Sequence, residues 1–201
     1  MADTNIIIIV VAFVVAVAAI YILYSIILFQ GGGSQKGDDL QLSTKNILDQ
    51  VEVLYDKKEY ALVQLLATKY LDRVPGHIEV RIYLAKAYYE DRKYNQAIKQ
   101  CSIILKKRPN SLETRQVLAD CYVKKQMLQK AIKEYEFLFE NRKNDKEVVK
   151  TLAELYREAD QLFSAIGAYE VLSDLMELDD DIADVQSILA ELNEEVHDYP
   201  A

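Results

Sequence analysis

From about residue 78 onward, apolar residues recur at intervals of three and four. Ile82, Leu84, Ala85, Tyr88 and Tyr89 form one series, and Ala97, Ile98, Cys101, Ile104 and Leu105 form the next. This is the spacing of a helix with one buried stripe. The series themselves repeat: Leu84-Ala85-x-x-Tyr88 returns as Leu118-Ala119-x-x-Tyr122 and as Leu152-Ala153-x-x-Tyr156, each 34 residues on, with Ala97, Ala131 and Ala165 in step. A unit of this length holds one helical hairpin. It is too small to bury its own apolar face, so it folds by stacking on copies of itself. Alanine at the close-contact positions lets two helices approach, while tyrosine and leucine fill the gaps between neighbours. Tyr88, Tyr122 and Tyr156 are therefore expected to be packing residues, since an apolar ring with a polar tip suits a partly wet seam. Pro75-Gly76 and Pro109-Asn110-Ser111 mark hairpin ends, with Ser111 placed to cap the next helix. The segment from Asp179 to Val196 reads as a further helix with Ile182, Val185, Ile188, Leu189 and Leu192 on one side, expected to cover the last hairpin.

These positions resemble the tetratricopeptide repeat. In 78–111 the family's places fall on Leu84, Ala85, Tyr88, Tyr94, Ala97, Ile104 and the closing Pro109. In 112–145 they fall on Leu118, Ala119, Tyr122, Leu128, Ala131, Tyr135 and Leu138, with Lys143 in the proline place. In 146–179 they fall on Leu152, Ala153, Tyr156, Leu162, Ala165, Tyr169 and Leu172, with Glu177 there. A degenerate copy, 44–77, keeps Tyr60, Val63, Tyr70 and Pro75 in phase, but Tyr55 fits only if its turn is one residue short. The family's Trp is replaced by Arg81, Arg115 and Val149, and its first Gly is always Ala. The resemblance implies an all-α fold: an α-solenoid of about four hairpins over 44–179, followed by an acidic capping helix and tail over 180–201.

Ahead of the repeats, after a short tail at 1–5, residues 6–29 form an uncharged apolar run. As a helix at about 1.5 Å per residue it reaches roughly 36 Å, enough to cross a hydrocarbon core of about 30 Å with some tilt. A single transmembrane helix is expected. A cleaved signal peptide is the weaker reading, because no Lys or Arg precedes the run and apolar sequence continues past the small residues Ala16-Val17-Ala18. Ala12 and Ala16 form a small-residue pair able to bring two such helices together. The linker 30–43 begins with a Gly/Ser-rich stretch, the composition of a flexible tether. Lys36, Lys45, Lys57 and Lys58 follow the span and no basic residue precedes it, which favours a cytoplasmic repeat domain over a periplasmic one. Cys101 and Cys121 fall on core-facing places and are expected to be buried thiols, with a disulfide in an oxidising compartment as the alternative.

Charge is unevenly spread. The whole chain carries −8, yet residues 40–157 hold 23 Lys and Arg against 16 Asp and Glu, a net of +7, while residues 158–201 hold 13 acids and no Lys or Arg. Lys57, Lys58, Lys69 and Arg73 read first as a solvated helix face, with attraction to an anionic leaflet as the alternative. Glu177, Asp179, Asp180, Asp181 and Asp184 are a candidate acidic docking surface for a basic partner or the basic flank of another copy. Solubility and helix-dipole matching are the simpler roles for the same acids. The run lacks the glycine and distal glutamate of a calcium loop.

Catalytic chemistry finds no support. His77 and His197 have no metal-ligand spacing, and no phosphate loop, nucleophile elbow or cysteine pair occurs. No catalytic, cofactor-binding or metal-binding residues are expected, and the acidic end disfavours nucleic acid. Binding remains. The resemblance places the groove of such a stack on Glu79, Ile82, Lys86, Tyr89 and Glu90, on Glu113, Gln116, Asp120, Val123 and Lys124, and on Glu147, Lys150, Glu154, Arg157 and Glu158. Co-chaperone members use Lys and Asn at several of these places to clamp a peptide's terminal carboxylate. Only Lys86, Lys124, Lys150 and Arg157 are basic here, so a partner segment of mixed or basic character is expected. The chain reads as a membrane-anchored scaffold that binds partner proteins at the membrane surface, with possible self-association. The alternative is a structural subunit of a larger membrane or envelope machine, its span and repeats permanently buried against neighbours.

Overall fold

The computed structural model describes residues 38–176 and 181–198, with side chains for 45–176 and 182–197. The tail 1–5, the apolar run 6–29, the start of the tether and Glu177, Asp179 and Asp180 lie outside the described residues. Two compact units divide the chain, 1–45 and 46–201, and the second carries the repeats.

The described residues form an all-helical chain: α1 (Asp38–Asp56), α2 (Tyr60–Arg73), α3 (Ile78–Glu90), α4 (Tyr94–Lys107), α5 (Leu112–Lys124), α6 (Leu128–Asn141), α7 (Lys146–Glu158), α8 (Leu162–Leu175) and α9 (Asp181–Asp198). Among them no helix is long and apolar enough to cross a membrane. The last part of the expected linker is not loop, because α1 already begins at Asp38. The helix-breaking glycines end at Gly37, and nothing after it in 38–56 interrupts a helix.

Consecutive helices pack on each other throughout, and the core is divided among them in a particular way. Val51 of α1, Val63 and Ala67 of α2 and Val80 and Leu84 of α3 make one cluster. Ile82 of α3, Cys101 and Ile104 of α4 and Leu118 of α5 make the next. Leu138 of α6 lies between Ala119 of α5 and Leu152 of α7, and Leu172 of α8 lies between Ala153 of α7 and Leu192 of α9. Every cluster crosses a hairpin boundary. Tyr88, Tyr122 and Tyr156 each touch two clusters, which is the packing role their spacing implies. Ala97, Ala131 and Ala165 are fully buried, as close helix contact requires. Val185 and Leu192 place α9 over α8.

The hairpin turns are alike to the residue. Lys58, Arg92, Gln126 and Asp160 all have left-handed backbone, with φ of 61°, 57°, 55° and 58°. At each, the left-handed residue's N–H donates to a carbonyl three residues back and the next N–H to one five back, as in Lys93 to Tyr88 at 2.8 Å and Met127 to Tyr122 at 2.9 Å. This is the Schellman helix stop, built four times without glycine. It also corrects the first repeat. Glu59 donates to Leu54, so Leu54 stands where Tyr88 stands and no residue is missing from the turn. Tyr55 instead meets Tyr60 and Tyr83 edge to face, at 5.5 and 5.7 Å between ring centroids.

At the helix starts, His77 Nδ1 accepts from Val80 N–H at 3.2 Å, and Asp145 from Val148 N–H at 3.4 Å. Ser111 holds the equivalent place but does not cap the backbone, because its hydroxyl pairs with Thr114 Oγ1 at 2.9 Å. The family's Trp place is used by arginine. Arg81 donates to the Pro75 carbonyl and to Gln100 Oε1, both at 2.7 Å, and Arg115 repeats this with the Pro109 carbonyl and Glu134. Each arginine thus ties a helix start to the preceding turn and to the second helix of its own hairpin.

A side chain in left-handed backbone costs about 1 kcal/mol, which glycine avoids. Gln126→Gly is expected to stabilise the fold by roughly 0.5–1 kcal/mol, read as a higher urea midpoint at unchanged slope. An unchanged or lower midpoint contradicts the strain assigned to this turn.

Candidate protein-interaction site

The first helices of the last three hairpins, α3, α5 and α7, carry the expected groove residues, and α3 touches α5 directly. Lys86 of α3 pairs with Glu113 of α5, joining two predicted groove residues across a hairpin boundary. Lys86 also lies 5.6 Å from the Tyr83 ring centroid. Gln116 and Asp120 are brought together on α5, where Gln116 Nε2 donates to Asp120 Oδ1 at 3.2 Å. Lys124, Lys150, Glu154 and Arg157 are exposed. Two predicted residues have other duties. Ile82 is only 9% exposed and belongs to the core. Glu79 pairs with Arg108 at 2.6 Å, and its carboxyl is held below the usual range by its own backbone N–H in the first turn of α3 and then by Arg108. Of the acidic docking residues, Asp181 opens α9 and Asp184 is exposed on it.

Tyrosine hydroxyls bonded to carboxylates recur along the stack, and the sequence pattern did not indicate them. Tyr55 bonds to Glu90 and Tyr83 to Glu52, and burial first, then these carboxylates, pushes both phenols up to about 12. Tyr135 donates to Asp120 Oδ1 at 2.5 Å, and Tyr156 to Glu136 at 2.8 Å. Tyr89 is half-buried with its ring 5.9 Å from Tyr94. Its phenol is also raised to about 12, by burial first and next by the charge of Asp120. The aromatic character fades along the stack: the place held by Tyr55 and Tyr89 passes to Val123 and then Arg157. The repeated signal that could have exposed the arginine ties was the in-step recurrence of Pro75 with Pro109 and Arg81 with Arg115.

Cys101 and Cys121 are free buried thiols in one cluster, not a disulfide. Burial raises both, Cys121 to about 12, which leaves them protonated and unreactive at neutral pH. Among the described residues no group of three or more His, Cys, Asp or Glu is arranged to hold a metal ion.

The described chain is a tetratricopeptide-like α-solenoid. Residues 56–138, under half of the chain, match the family profile of anaphase-promoting complex, cyclosome, subunit 3. The fold is similar to MamA from AMB-1, with a TM-score of 0.68 at 16% identity, covering 78% of this chain and 84% of that one. It is similar to MamA from Desulfovibrio magneticus RS-1, with a TM-score of 0.66 at 17% identity, covering 77% and 85%. A tetratricopeptide repeat protein from Parabacteroides merdae gives 0.67 at 13% identity, covering 77% and 61%. No curated protein matches the chain in sequence.

Burial raises the Asp120 carboxyl; the bonds from Tyr135 and Gln116 and the charge of Lys124 oppose the shift without cancelling it. A carboxyl raised in the folded state contributes stability that is complete below its unfolded value and lost as pH rises through the folded value. Asp120→Asn is therefore expected to be at least as stable as the parent at pH 7, with the gap closing as pH falls to about 4. Thermal melts across that range check it, and a variant clearly less stable at pH 7 contradicts it.

Proposed function

We propose that the chain is a membrane-anchored scaffold whose concave face holds a segment of a partner protein, so that a complex is organised at the membrane surface. The observation that carries this reading is the contrast between the two kinds of surface in the stack. The apolar face of every hairpin is consumed by its neighbours, whereas Lys124, Lys150, Glu154 and Arg157 stay exposed along the first helices of consecutive hairpins. Solenoids use such extended concave faces for binding. The uncharged run 6–29 supports the anchor, and the lysines after it support a cytoplasmic repeat domain. With a Gly-rich tether between them, the groove samples a shell near the bilayer and the effective concentration of membrane-bound partners rises.

A second reading, a structural subunit of a larger membrane or envelope machine, draws support from the profile matched over 56–138, which is described as a subunit of a multi-subunit complex. Size in mild detergent separates the two. A monomer or dimer that exchanges partners fits the scaffold, and obligate copurification in one large assembly fits the subunit.

Two outcomes are expected. Deleting residues 1–29 moves the chain from the membrane pellet to the soluble fraction with its helical circular dichroism intact; retention in the pellet contradicts the anchor. Replacing the acids of 177–184 by Asn or Gln weakens partner capture and flattens its salt dependence, and unchanged capture with unchanged salt dependence removes the acidic surface from the account.

A further inference from the structure

Asp120 is held in an unusual state for a groove carboxylate. It is half-buried on α5, and two bonds reach it, from Tyr135 and from Gln116, both to Oδ1. Among the described residues Oδ2 accepts no hydrogen bond, and no Lys, Arg or His forms an ion pair with the carboxylate. Lys124, one turn further along α5, acts on it through charge alone and is itself exposed. Burying a carboxylate without a cation beside it is unfavourable, and folding supplies two hydrogen bonds to Oδ1 but no ion pair.

The same place in the other repeats shows what is missing. It is held by Glu52 in α1, Lys86 in α3, Asp120 in α5 and Glu154 in α7, one residue per hairpin along the groove. Lys86 is neutralised by Glu113 of the next hairpin. Of the three acids left at this place, Glu52, Asp120 and Glu154, Asp120 is the most buried, and the Tyr89 phenol is close enough to feel its charge. A half-buried carboxylate beside an aromatic side chain suits a cation, through an ion pair at the carboxylate and attraction to the ring.

Resting on the reading of the groove as a partner site, we propose that Asp120 is the anchor of a notch for a lysine or arginine side chain of a partner protein's segment. Oδ2 takes the donor, while Tyr135 and Gln116 keep Oδ1 fixed and so hold the carboxylate in one orientation.

The test uses the full chain in detergent and a fluorescein-labelled Ser/Leu peptide bearing two arginines, read by anisotropy. Its counterparts carry lysine, citrulline or glutamate at the same places. The arginine and lysine peptides are expected to bind at least about tenfold tighter than the citrulline peptide, and the glutamate peptide weakest. Asp120→Asn, with its melt checked against the parent, is expected to reduce the arginine preference to within about twofold. Equal binding of the arginine and citrulline peptides, or an undiminished preference in Asp120→Asn, overturns the notch. If all four peptides bind alike and Tyr89→Ala weakens them together, the groove remains a partner site and only the cation anchor fails. If no peptide binds at millimolar concentration, both fall. Should Asp120→Asn alter self-association in sedimentation while leaving peptide binding unchanged, the occupant is a second copy and the partner-segment assignment is wrong.

Discussion

No hairpin in this chain owns a core. Leu138 is buried only because α5 and α7 close over it, and Ile104 only because α3 and α5 do. The tyrosines at the seams belong to two clusters at once. Stability in such a stack is a sum of weak units and strong contacts between neighbours, so the order of the units is itself what folding selects. The regular turns follow from this need. The same helix stop is built four times, and the sequence accepts left-handed Lys, Arg, Gln and Asp to keep it. The arginines at the Trp places add a polar tie where a buried ring would otherwise fill space. Arg81 does so at a cost, since its Nε is buried without a partner.

Much of the fold was legible because its period is written in residue size. Alanine at 97, 131 and 165 and tyrosine at 88, 122 and 156 encode contact distance directly, and sequence displays size. Backbone conformation is less visible. The left-handed stops carry none of the glycine that would announce them, and Tyr55 drew attention away from Leu54, the residue in register. Ser111 had the right identity and place for a cap, yet a nearby threonine hydroxyl captured it. The groove was legible as a set of positions but not as a set of states. That Lys86 is neutralised, that Ile82 sinks into the core and that Asp120 is left half-buried are consequences of contacts across hairpins, and those depend on geometry that position alone does not give.

Function follows from the same division of labour. Burial uses up most of the apolar surface, leaving Val53, Leu65 and Phe163 exposed, and the first helices present mainly polar side chains repeated once per hairpin. Pairing removes Lys86 and Glu113 from that pattern, and the tyrosine hydroxyls hold several carboxylates in place. A pre-ordered surface loses little freedom on binding. The acidic final helix gives the stack a second electrostatic character at its end.

Native-state hydrogen exchange resolved by helix tests the shared-core claim most directly. Amides of α3 to α6 are expected to exchange together, at the free energy of global unfolding, with protection falling toward α1 and α9. A central hairpin such as 112–145 that stays protected after its neighbours have opened would contradict the account, because that hairpin would then hold a core of its own.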